Sequence, residues 1–510
     1  MKPSNRIIVN TLAQYLRTIL NIILSLYSSR LVLNILGVDD YGIYALVAGV
    51  VSMLSFITNS LVGSTQRFLS VNQGKGNISE LKKVFSNSVL LHIFLGGIVF
   101  IILEILTPIL FNGFLNIPSG RVTAATIVYQ QVVLMVYISF VASPYRALLV
   151  SRENIVYTSC IDVIDGVLKV VLVLMLPYIN SDKLILYGWI TLSINLFNFF
   201  AFSLYSHRMY EECVFPKLKY FTFSFLKNLF SYTGWVVYST LCIALRTQGI
   251  AVVLNKFIGT QINAAYGLGS QISGMVSFIS TSFANSISPQ LMMAEGANDR
   301  SRMWFLAQLQ SKYSFLLLSM ISIPIIFEMD TLLHLWLGQE VPSYTKLFAT
   351  MFILMQVVDM LTQGLATANR AIGNIAWYSI LTYTPKLLIL PIGYLLLVNK
   401  YSLVLFAVMC VIVEFLCMLL RIPLILKEKQ FNPVIYIREV FVKSLFPVLA
   451  SLVVCFFITN YITFWGRVIM TFSISIIVFI ITAYFFLGKL EREKVCLMFN
   501  SFLNKIRKTK

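Results

Sequence analysis

Residues 402–425 read SLVLFAVMCVIVEFLCMLLRIPLI, a stretch of 24 residues with a single acid and a single base. A run of about 20 apolar residues is long enough to cross the roughly 30 Å hydrocarbon core of a bilayer as a helix. Because no water is present there to hydrogen-bond to the backbone, the run must satisfy its own N–H and C=O groups, as an α-helix does. The stretch therefore predicts a transmembrane helix.

Stretches of this kind recur along all 510 residues. Hydrophobic residues make up 58% of the sequence and charged residues 12%, whereas soluble proteins carry about 25% charged residues. This balance excludes a soluble globular protein, and the continuous apolar runs disfavour a β-barrel, whose strands alternate. We predict an all-α polytopic membrane protein with about 14 transmembrane helices. The expected spans are residues 8–36, 43–66, 84–108, 122–148, 155–178, 184–206, 229–254, 263–288, 311–329, 345–369, 375–397, 402–425, 441–462 and 466–487.

Basic residues are distributed unevenly between the two sides of the expected membrane. When residues near the span ends are counted with the adjoining loops, 28 of the 39 Lys and Arg residues lie on the side of the N-terminus and seven on the other side, and four lie deep within spans. Cytoplasmic loops carry an excess of Lys and Arg, so we predict that both termini are cytoplasmic. The same bias accounts for the net charge of +18, and we expect no nucleic-acid partner.

The C-terminal segment, residues 489–510, is basic and amphipathic. Val495, Met498, Phe502 and Ile506 recur at helical spacing between lysines and arginines. Such a segment binds to the anionic inner leaflet of a membrane. We therefore expect membrane lipids as its partner, with docking to another protein as the alternative.

The sequence contains an internal repeat. A shift of 222 residues overlays the first two spans on the seventh and eighth and gives 11 identities in 38 positions, which include Tyr44/Tyr266 and Gly74/Gly296. A second match pairs Asn154-Ile155, which opens span five, with Asn374-Ile375, which opens span eleven.

Because six spans separate the copies, both enter the membrane from the same side. We predict two parallel six-helix lobes around a central cavity, the layout of a transporter. The predicted lobes are residues 1–210 and 211–430, two extra spans lie in residues 431–488, and residues 489–510 form a cytoplasmic tail.

Polar and charged residues recur at helical spacing inside several spans, where ionisable groups are costly and usually mark an aqueous path. Four cations occupy spans that the repeat pairs, Arg17 with Arg246 and Lys169 with Lys386. Facing a shared cavity, they would attract an anion, and their groups suit phosphate oxygens. The residues expected to line that cavity are Gln14, Asn21, Asn59, Gln356 and Gln363.

An alternative interpretation of these polar residues is that they hold the helices together. Asp165 and Lys169 lie four residues apart on one helix face, so they would neutralise each other as an internal ion pair.

Residues 34–47 read NILGVDDYGIYALV and follow the first span. This stretch resembles the polysaccharide-exporter branch of the multidrug/oligosaccharidyl-lipid/polysaccharide exporter superfamily, whose members have a Leu-Gly, an acidic pair and Tyr-Gly-Ile-Tyr at this place. The resemblance extends over the whole chain in span number, repeat and loop lengths.

The resemblance implies a flippase in the bacterial inner membrane. Its substrate would be an undecaprenyl-diphosphate-linked oligosaccharide repeat unit for O-antigen, capsule or exopolysaccharide. Arg17, Arg246, Lys169 and Lys386 would then bind the diphosphate. A polysaccharide polymerase or a chain-length protein would be a partner of the same assembly process.

Other functions stay open at this stage. A multidrug/cation antiporter of the same superfamily would favour an acidic, aromatic cavity, and a peptidoglycan lipid-precursor flippase is a closer relative. An enzyme is disfavoured. Asp162-Val163-Ile164-Asp165-Gly166 resembles the opening of the alcohol phosphatidyltransferase motif, but Val167-Leu168-Lys169 replaces its continuation and no later pair of acids appears.

No cofactor or metal is expected. The seven cysteines are scattered without a CxxC pair, and the three histidines lie far apart. No GxxxxGK[ST] loop is present, so ATP is not expected to drive transport directly. A proton or sodium gradient is the remaining source of energy.

Coupling to an ion gradient requires an acid on a polar face of a span. The candidates are Asp359, Asp162 and Asp165. We expect Asp359 to be the carrier, because no basic residue lies within one turn of it on its own helix, and Asp165–Lys169 to be a structural or gating pair. Glu104 and Glu414 rank lower because their sequence neighbours are largely apolar.

Overall fold

The computed structural model describes residues 3–37, 40–44, 47, 55–111, 117–216, 218–337, 341–462, 466–486 and 488. These residues form helices and their connections, with no strand among them. The helices are α1 (Pro3–Leu36), α2 (Ser55–Gly74), α3 (Ile78–Ile109), α4 (Val122–Ser151), α5 (Ile155–Met175), α6 (Lys183–Met209), α7 (Phe223–Ile258), α8 (Thr260–Gly296), α9 (Arg300–Phe327), α10 (Met329–Leu337), α11 (Thr345–Met360), α12 (Gln363–Ile372), α13 (Ala376–Tyr383), α14 (Ile389–Val398), α15 (Leu403–Ile425), α16 (Pro433–Tyr436), α17 (Lys443–Tyr461) and α18 (Arg467–Phe485).

The prediction of an all-α polytopic membrane protein is confirmed. In the described ranges, ten helices are long and apolar enough to cross a membrane, or 11 if α11 and α12, which are bent by 51° at their junction, count as one span. The predicted number of 14 is not confirmed. The predicted spans that fall short contain α2, α5 and α8, in which polar side chains interrupt the apolar run.

Helix α1 has an apolar exposed face, whereas several of its polar residues are buried. On α1, Leu12 and Leu16 are each 61% exposed, while Asn10 and Gln14 are 3% and 4% exposed. A helix in water has the opposite arrangement. This one is stable where lipid tails, which are as apolar as leucine, cover the exposed face.

The chain divides into two compact units. The first unit contains Met1–Ile243, Asn285–Met303 and Ala368–Ile380, and the second contains Ala244–Ala284, Trp304–Thr367 and Leu381–Lys510. The helices that contribute residues to both units are α7, α8, α9, α12 and α13. The lobe boundaries predicted after residues 210 and 430 stay a prediction, and the predicted tail lies outside the described residues.

Three connections at one end of the first unit are joined by a single arginine. Arg121 forms ion pairs with Asp40 and, at 2.5 Å, with Asp182. Asp182 is also the N-cap of α6 and accepts a hydrogen bond from the backbone N–H of Leu184. The Arg121 guanidinium holds the pKa of Asp182 below its ordinary value. The three residues lie in the connections after α1, α3 and α5, as expected for helices that alternate in direction.

Within the second unit, the last two spans pack against each other and are anchored by a buried acid. Helix α17 packs on α18, and α11 packs on α15. The carboxylate of Glu328, which is 1% exposed, accepts hydrogen bonds from Arg467 at 3.1 and 2.9 Å and from Thr471 at 2.8 Å.

Candidate functional site

Each unit contains a cluster of charged residues inside its membrane-spanning helices. In the first unit, Asp162 of α5 lies between two arginines. Its carboxylate accepts hydrogen bonds from Arg17 of α1 at 2.8 Å and from Arg146 of α4 at 2.7 and 3.1 Å. Two guanidiniums share one carboxylate, so this set of three carries a formal charge of +1. The side chains of Arg17 and Arg146 remain 24% and 37% exposed.

The second acid of α5 has a different partner. Asp165 accepts a hydrogen bond of 2.6 Å from the amide of Asn198 on α6. Asp165 and Lys169 are both described, and they form no ion pair in the structure. Their role as a structural or gating pair stays a prediction.

A polar cavity of about 330 Å³ adjoins this cluster in the first unit. It lies between α2, α4 and α6. The polar residues of its lining are Thr58, Asn59, Ser139, Ser143, Arg146, Asn195 and Asn198, and the apolar ones are Val62, Ala142 and Phe202. Arg146 is the single charged residue among the described lining residues, and its guanidinium also lies 5.6 Å from the centre of the Phe202 ring.

The second unit contains the larger charged cluster. Glu414 of α15 is bound by Arg246 of α7, at 2.5 Å, and by Lys386, which lies in the short 3₁₀ turn Thr384–Leu388 between α13 and α14. All three residues are less than 10% exposed.

The same cluster includes a second acid. Asp359, near the end of α11, pairs with Arg421 of α15 at 2.6 Å and with Lys386 at 3.5 Å. Arg421 also donates a hydrogen bond of 3.2 Å to Thr362. The five charged residues of this cluster carry a formal charge of +1, because three cations meet two acids.

The described ranges contain no group of three or more His, Cys, Asp or Glu side chains that would suit a metal ion. The charged clusters instead combine cations with carboxylates and neutral amides.

A family model described as polysaccharide biosynthesis protein matches residues 5–295, which is more than half of the chain. The chain belongs to this family. The polysaccharide-exporter resemblance of residues 34–47 is confirmed at the level of this polysaccharide biosynthesis family.

Individual relatives are distant in sequence. The chain is 22% identical over 358 residues to the uncharacterized membrane protein EpsK of Bacillus subtilis (strain 168), and the match covers 68% of this chain and 67% of EpsK. Its fold is similar to that of a multidrug resistance MATE family transporter of the MOP superfamily in an outward-facing conformation. The superposition of the two structures has a TM-score of 0.69 at 14% sequence identity and covers 82% of this chain and 94% of that chain.

A third similarity concerns a MOP superfamily transporter from Pyrococcus furiosus whose binding pocket has reverse polarity. The TM-score is 0.65 at 11% identity, over 82% of this chain and 94% of that one. This polysaccharide biosynthesis family member is therefore a multi-pass membrane protein with the fold of MOP superfamily transporters.

Within this family member, the predicted cations do not all meet in one place. Arg246 and Lys386 share Glu414, and Arg17 shares Asp162 with Arg146. Lys169 is half-buried on α5 and joins neither of these sets of ion pairs.

The predicted lining residues are also distributed over several places. Asn59 lines the described cavity. Gln14 is buried and donates a hydrogen bond of 2.9 Å to Ser286. Asn21, Gln356 and Gln363 are half-buried on α1, α11 and α12.

Three charged residues of the clusters escaped the sequence analysis: Arg146, Glu414 and Arg421. Arg146 and Arg421 lie near the ends of their predicted spans, where they add to the basic charge of the adjoining loops, and Glu414 ranks low because its sequence neighbours are apolar. The spacing of residues along α15 nevertheless indicates a buried polar face. Cys410, Glu414, Cys417 and Arg421 recur in steps of four, three and four along α15, and all four are buried.

Proposed function

We propose that this protein is a flippase that moves undecaprenyl-diphosphate-linked oligosaccharide repeat units from the inner to the outer leaflet of the bacterial inner membrane. The translocated repeat units would be used for O-antigen, capsule or exopolysaccharide synthesis. The observation that carries the proposal is the cation excess of the first cluster beside a polar cavity. Membership of a polysaccharide biosynthesis family and a transporter fold support transport over catalysis.

Cation excess favours an anionic substrate. Arg17 and Arg146 place two guanidiniums around one carboxylate, and guanidinium groups bind phosphate oxygens through paired hydrogen bonds. A cavity for cationic drugs would instead need an excess of acids or aromatic rings. The Pyrococcus furiosus transporter supports this reasoning, because reversed pocket polarity was taken there to suggest a different function.

The neutral part of the cavity suits sugar hydroxyls. Amide and hydroxyl side chains both donate and accept hydrogen bonds, and Asn59, Asn195 and Asn198 provide three amides. The volume of about 330 Å³ lies at the small end of the ~300–1,000 Å³ range of ligand sites. We therefore assign this cavity to the sugars next to the diphosphate and not to the whole substrate.

Transport by this route would be coupled to a proton or sodium gradient, with Asp359, Asp162 and Asp165 as the candidate carriers. Asp162 and Asp359 are each held by cations at 2.8 Å or less. Asp165 has a neutral amide as its hydrogen-bond partner, so a proton or sodium ion can bind and leave without breaking an ion pair. This supports Asp165 as the coupling residue over Asp359, the carrier that the sequence alone favours.

The positive-inside bias supports the cytoplasmic location of both termini. Partners remain as the resemblance implies, namely the lipid-linked oligosaccharide, membrane lipids, and a polymerase or chain-length protein. No cofactor is required, since the ion gradient supplies the energy.

Reconstitution tests this function directly. Proteoliposomes would contain a fluorescent lipid-linked oligosaccharide, and its appearance in the opposite leaflet would be measured with an impermeant sugar-cleaving enzyme. We expect Arg17→Gln and Arg146→Gln to lower the rate about tenfold or more, since a hydrogen bond to a charged group contributes about 1.5–3 kcal/mol.

Arg438→Gln is the matched control, because the Arg438 side chain is 70% exposed. Movement of a peptidoglycan precursor or of a cationic dye, without movement of the oligosaccharide, would replace this proposal with one of the other two transport functions.

A further inference from the structure

Two glycines bring the ends of α2 and α8 into backbone contact. A Cβ atom added to Gly74 of α2 would lie 2.0 Å from the carbonyl oxygen of Met293, and one added to Gly296 of α8 would lie 1.8 Å from the carbonyl oxygen of Val71. Real Cβ atoms do not approach other atoms so closely. Neither position therefore accepts a side chain while the helices are in contact.

This contact is symmetric with respect to the internal repeat. The 222-residue shift carries Val71 to position 293 and Gly74 to position 296, so one glycine contact becomes the other. It is the arrangement of a two-fold interface, in which the same patch on each copy contacts its counterpart. All four residues belong to the first unit.

A second contact between the two copies lies next to the glycines. Arg67 of α2 donates hydrogen bonds to the carbonyl oxygens of Arg370, Ala371 and Ile372, at 3.1, 2.9 and 3.2 Å. These carbonyls belong to the last turn of α12, where a helix has no internal donors for them. Tyr232 donates to the carbonyl of Arg370 at 3.1 Å, and its ring lies 5.0 Å from the guanidinium.

The matching turn of the first copy is contacted from α8. Glu153 and Gly373 each precede an Asn-Ile pair, and both have positive φ, 58° and 98°. Just as Arg67 of α2 reaches the turn at Gly373, Gln290 of α8 donates to the Glu153 carboxylate at 3.3 Å. Each copy thus contacts the other copy at the turn that precedes its Asn-Ile pair.

We propose that these reciprocal contacts form the gate that closes the transport path at the end of the helices bearing the basic loops, with Arg67 as its latch. The gate is shut in this structure, because backbone touches backbone at both glycines. It opens when α2 and α8 separate. The inference depends on the transporter fold and is independent of which substrate is carried.

The chemistry of the latch suits a contact that must form and break. Among the described residues, Arg67 donates its hydrogen bonds to carbonyl oxygens and forms no ion pair. Opening therefore exchanges these hydrogen bonds for bonds to water without breaking an ion pair. The two glycines let the helix backbones approach closely, because they place no side chain between them. Separation of the helices would thus require neither the burial of a charge nor the rearrangement of a packed side chain at the crossing.

Cysteine labelling tests the gate without any substrate. Asn59→Cys, on the exposed cavity face of α2, is the reporter in the full-length chain with its native cysteines replaced by serine. An impermeant maleimide is added to membrane vesicles on the side of the basic loops. We expect labelling to be several-fold faster in Arg67→Gln, Gly74→Ala and Gly296→Ala than in the parent.

Gly63→Ala on α2 and Gly267→Ala on α8 are the matched controls, because a Cβ at either position meets no atom within 4 Å. Their labelling should equal that of the parent. Arg67→Lys keeps the charge but loses the forked donors, so the reporter should be labelled at an intermediate rate in this variant. It also tests the gate if a glycine variant inserts poorly into the membrane. Equal labelling of the parent, Arg67→Gln and Arg67→Lys at equal amounts in the membrane would overturn the proposal.

Discussion

The guanidinium of Arg246 and the carboxylate of Glu414 form an ion pair of 2.5 Å between two helices, and both side chains are nearly buried, at 11% and 3% exposure. Removing one member of a buried pair leaves an uncompensated charge, which is far more costly than the net stability that the pair provides. The charge of Arg246 is therefore satisfied within the second unit.

Glu414→Gln should destabilise the protein strongly, because Glu414 neutralises both Arg246 and Lys386. We expect a loss of about 3–5 kcal/mol in the free energy of unfolding, measured by thermal or denaturant unfolding in detergent. Glu104→Gln is the control within another span. Glu104 accepts a hydrogen bond of 3.0 Å from Gln130 and forms no ion pair in the described part of the chain. Equal losses in the two variants would contradict the prediction.

Arg246→Ala should lower both stability and transport, for different reasons. Without Arg246, Glu414 loses one of its two cations, and the sequence-based prediction that Arg246 binds the diphosphate adds the loss of a substrate contact. The double variant Arg246→Ala/Glu414→Gln separates the two effects. It should retain more folded protein in detergent than Arg246→Ala alone while its transport stays low. Recovery of normal transport in the double variant would show that Arg246 has a structural role only.

The sequence was sufficient to predict the helices, but it did not predict which helices are joined by ion pairs. Apolar runs such as residues 402–425 permit only a helix in a membrane, and the structure has α15 there. Glu414 lies in that run among apolar neighbours, and its partner Arg246 is 168 residues away. Helical spacing predicts which face of a span is polar. It does not predict which other helix lies against that face, so the ion pairs required the folded structure.

The same limit applies to the gate. The repeat was visible as Gly74/Gly296 in the sequence, but the match alone does not say that each glycine lies against the backbone of the other helix. Only the crossing of α2 and α8 turns a pair of equivalent positions into a contact.

Asp165→Asn should uncouple transport from the ion gradient with little loss of stability. Its carboxylate has a neutral partner, Asn198, so an amide can replace it without leaving a cation unpaired. Asp359→Asn should destabilise instead, because Arg421, which is 1% exposed, would lose its carboxylate. The measurement is oligosaccharide transport in proteoliposomes with an imposed proton or sodium gradient. If Asp165→Asn responds to both gradients as the parent does and Asp359→Asn does not, Asp359 is the coupling residue.

Glu153 should make the stability of the protein depend on pH. The residue is 9% exposed in the turn between α4 and α5, and burial raises the pKa of its carboxyl above the ordinary 4.5, against opposing contributions from Gln290, Arg6 and Arg302. A raised pKa means that the folded protein binds the proton more tightly than the unfolded chain. Its contribution is therefore complete below pH 4.5 and is lost as the pH rises through the folded pKa. Glu153→Gln cannot titrate, so the melting temperature of the parent should fall relative to that variant over this range. A difference between the two proteins that stays constant with pH would show that the carboxyl titrates alike in the folded and unfolded states.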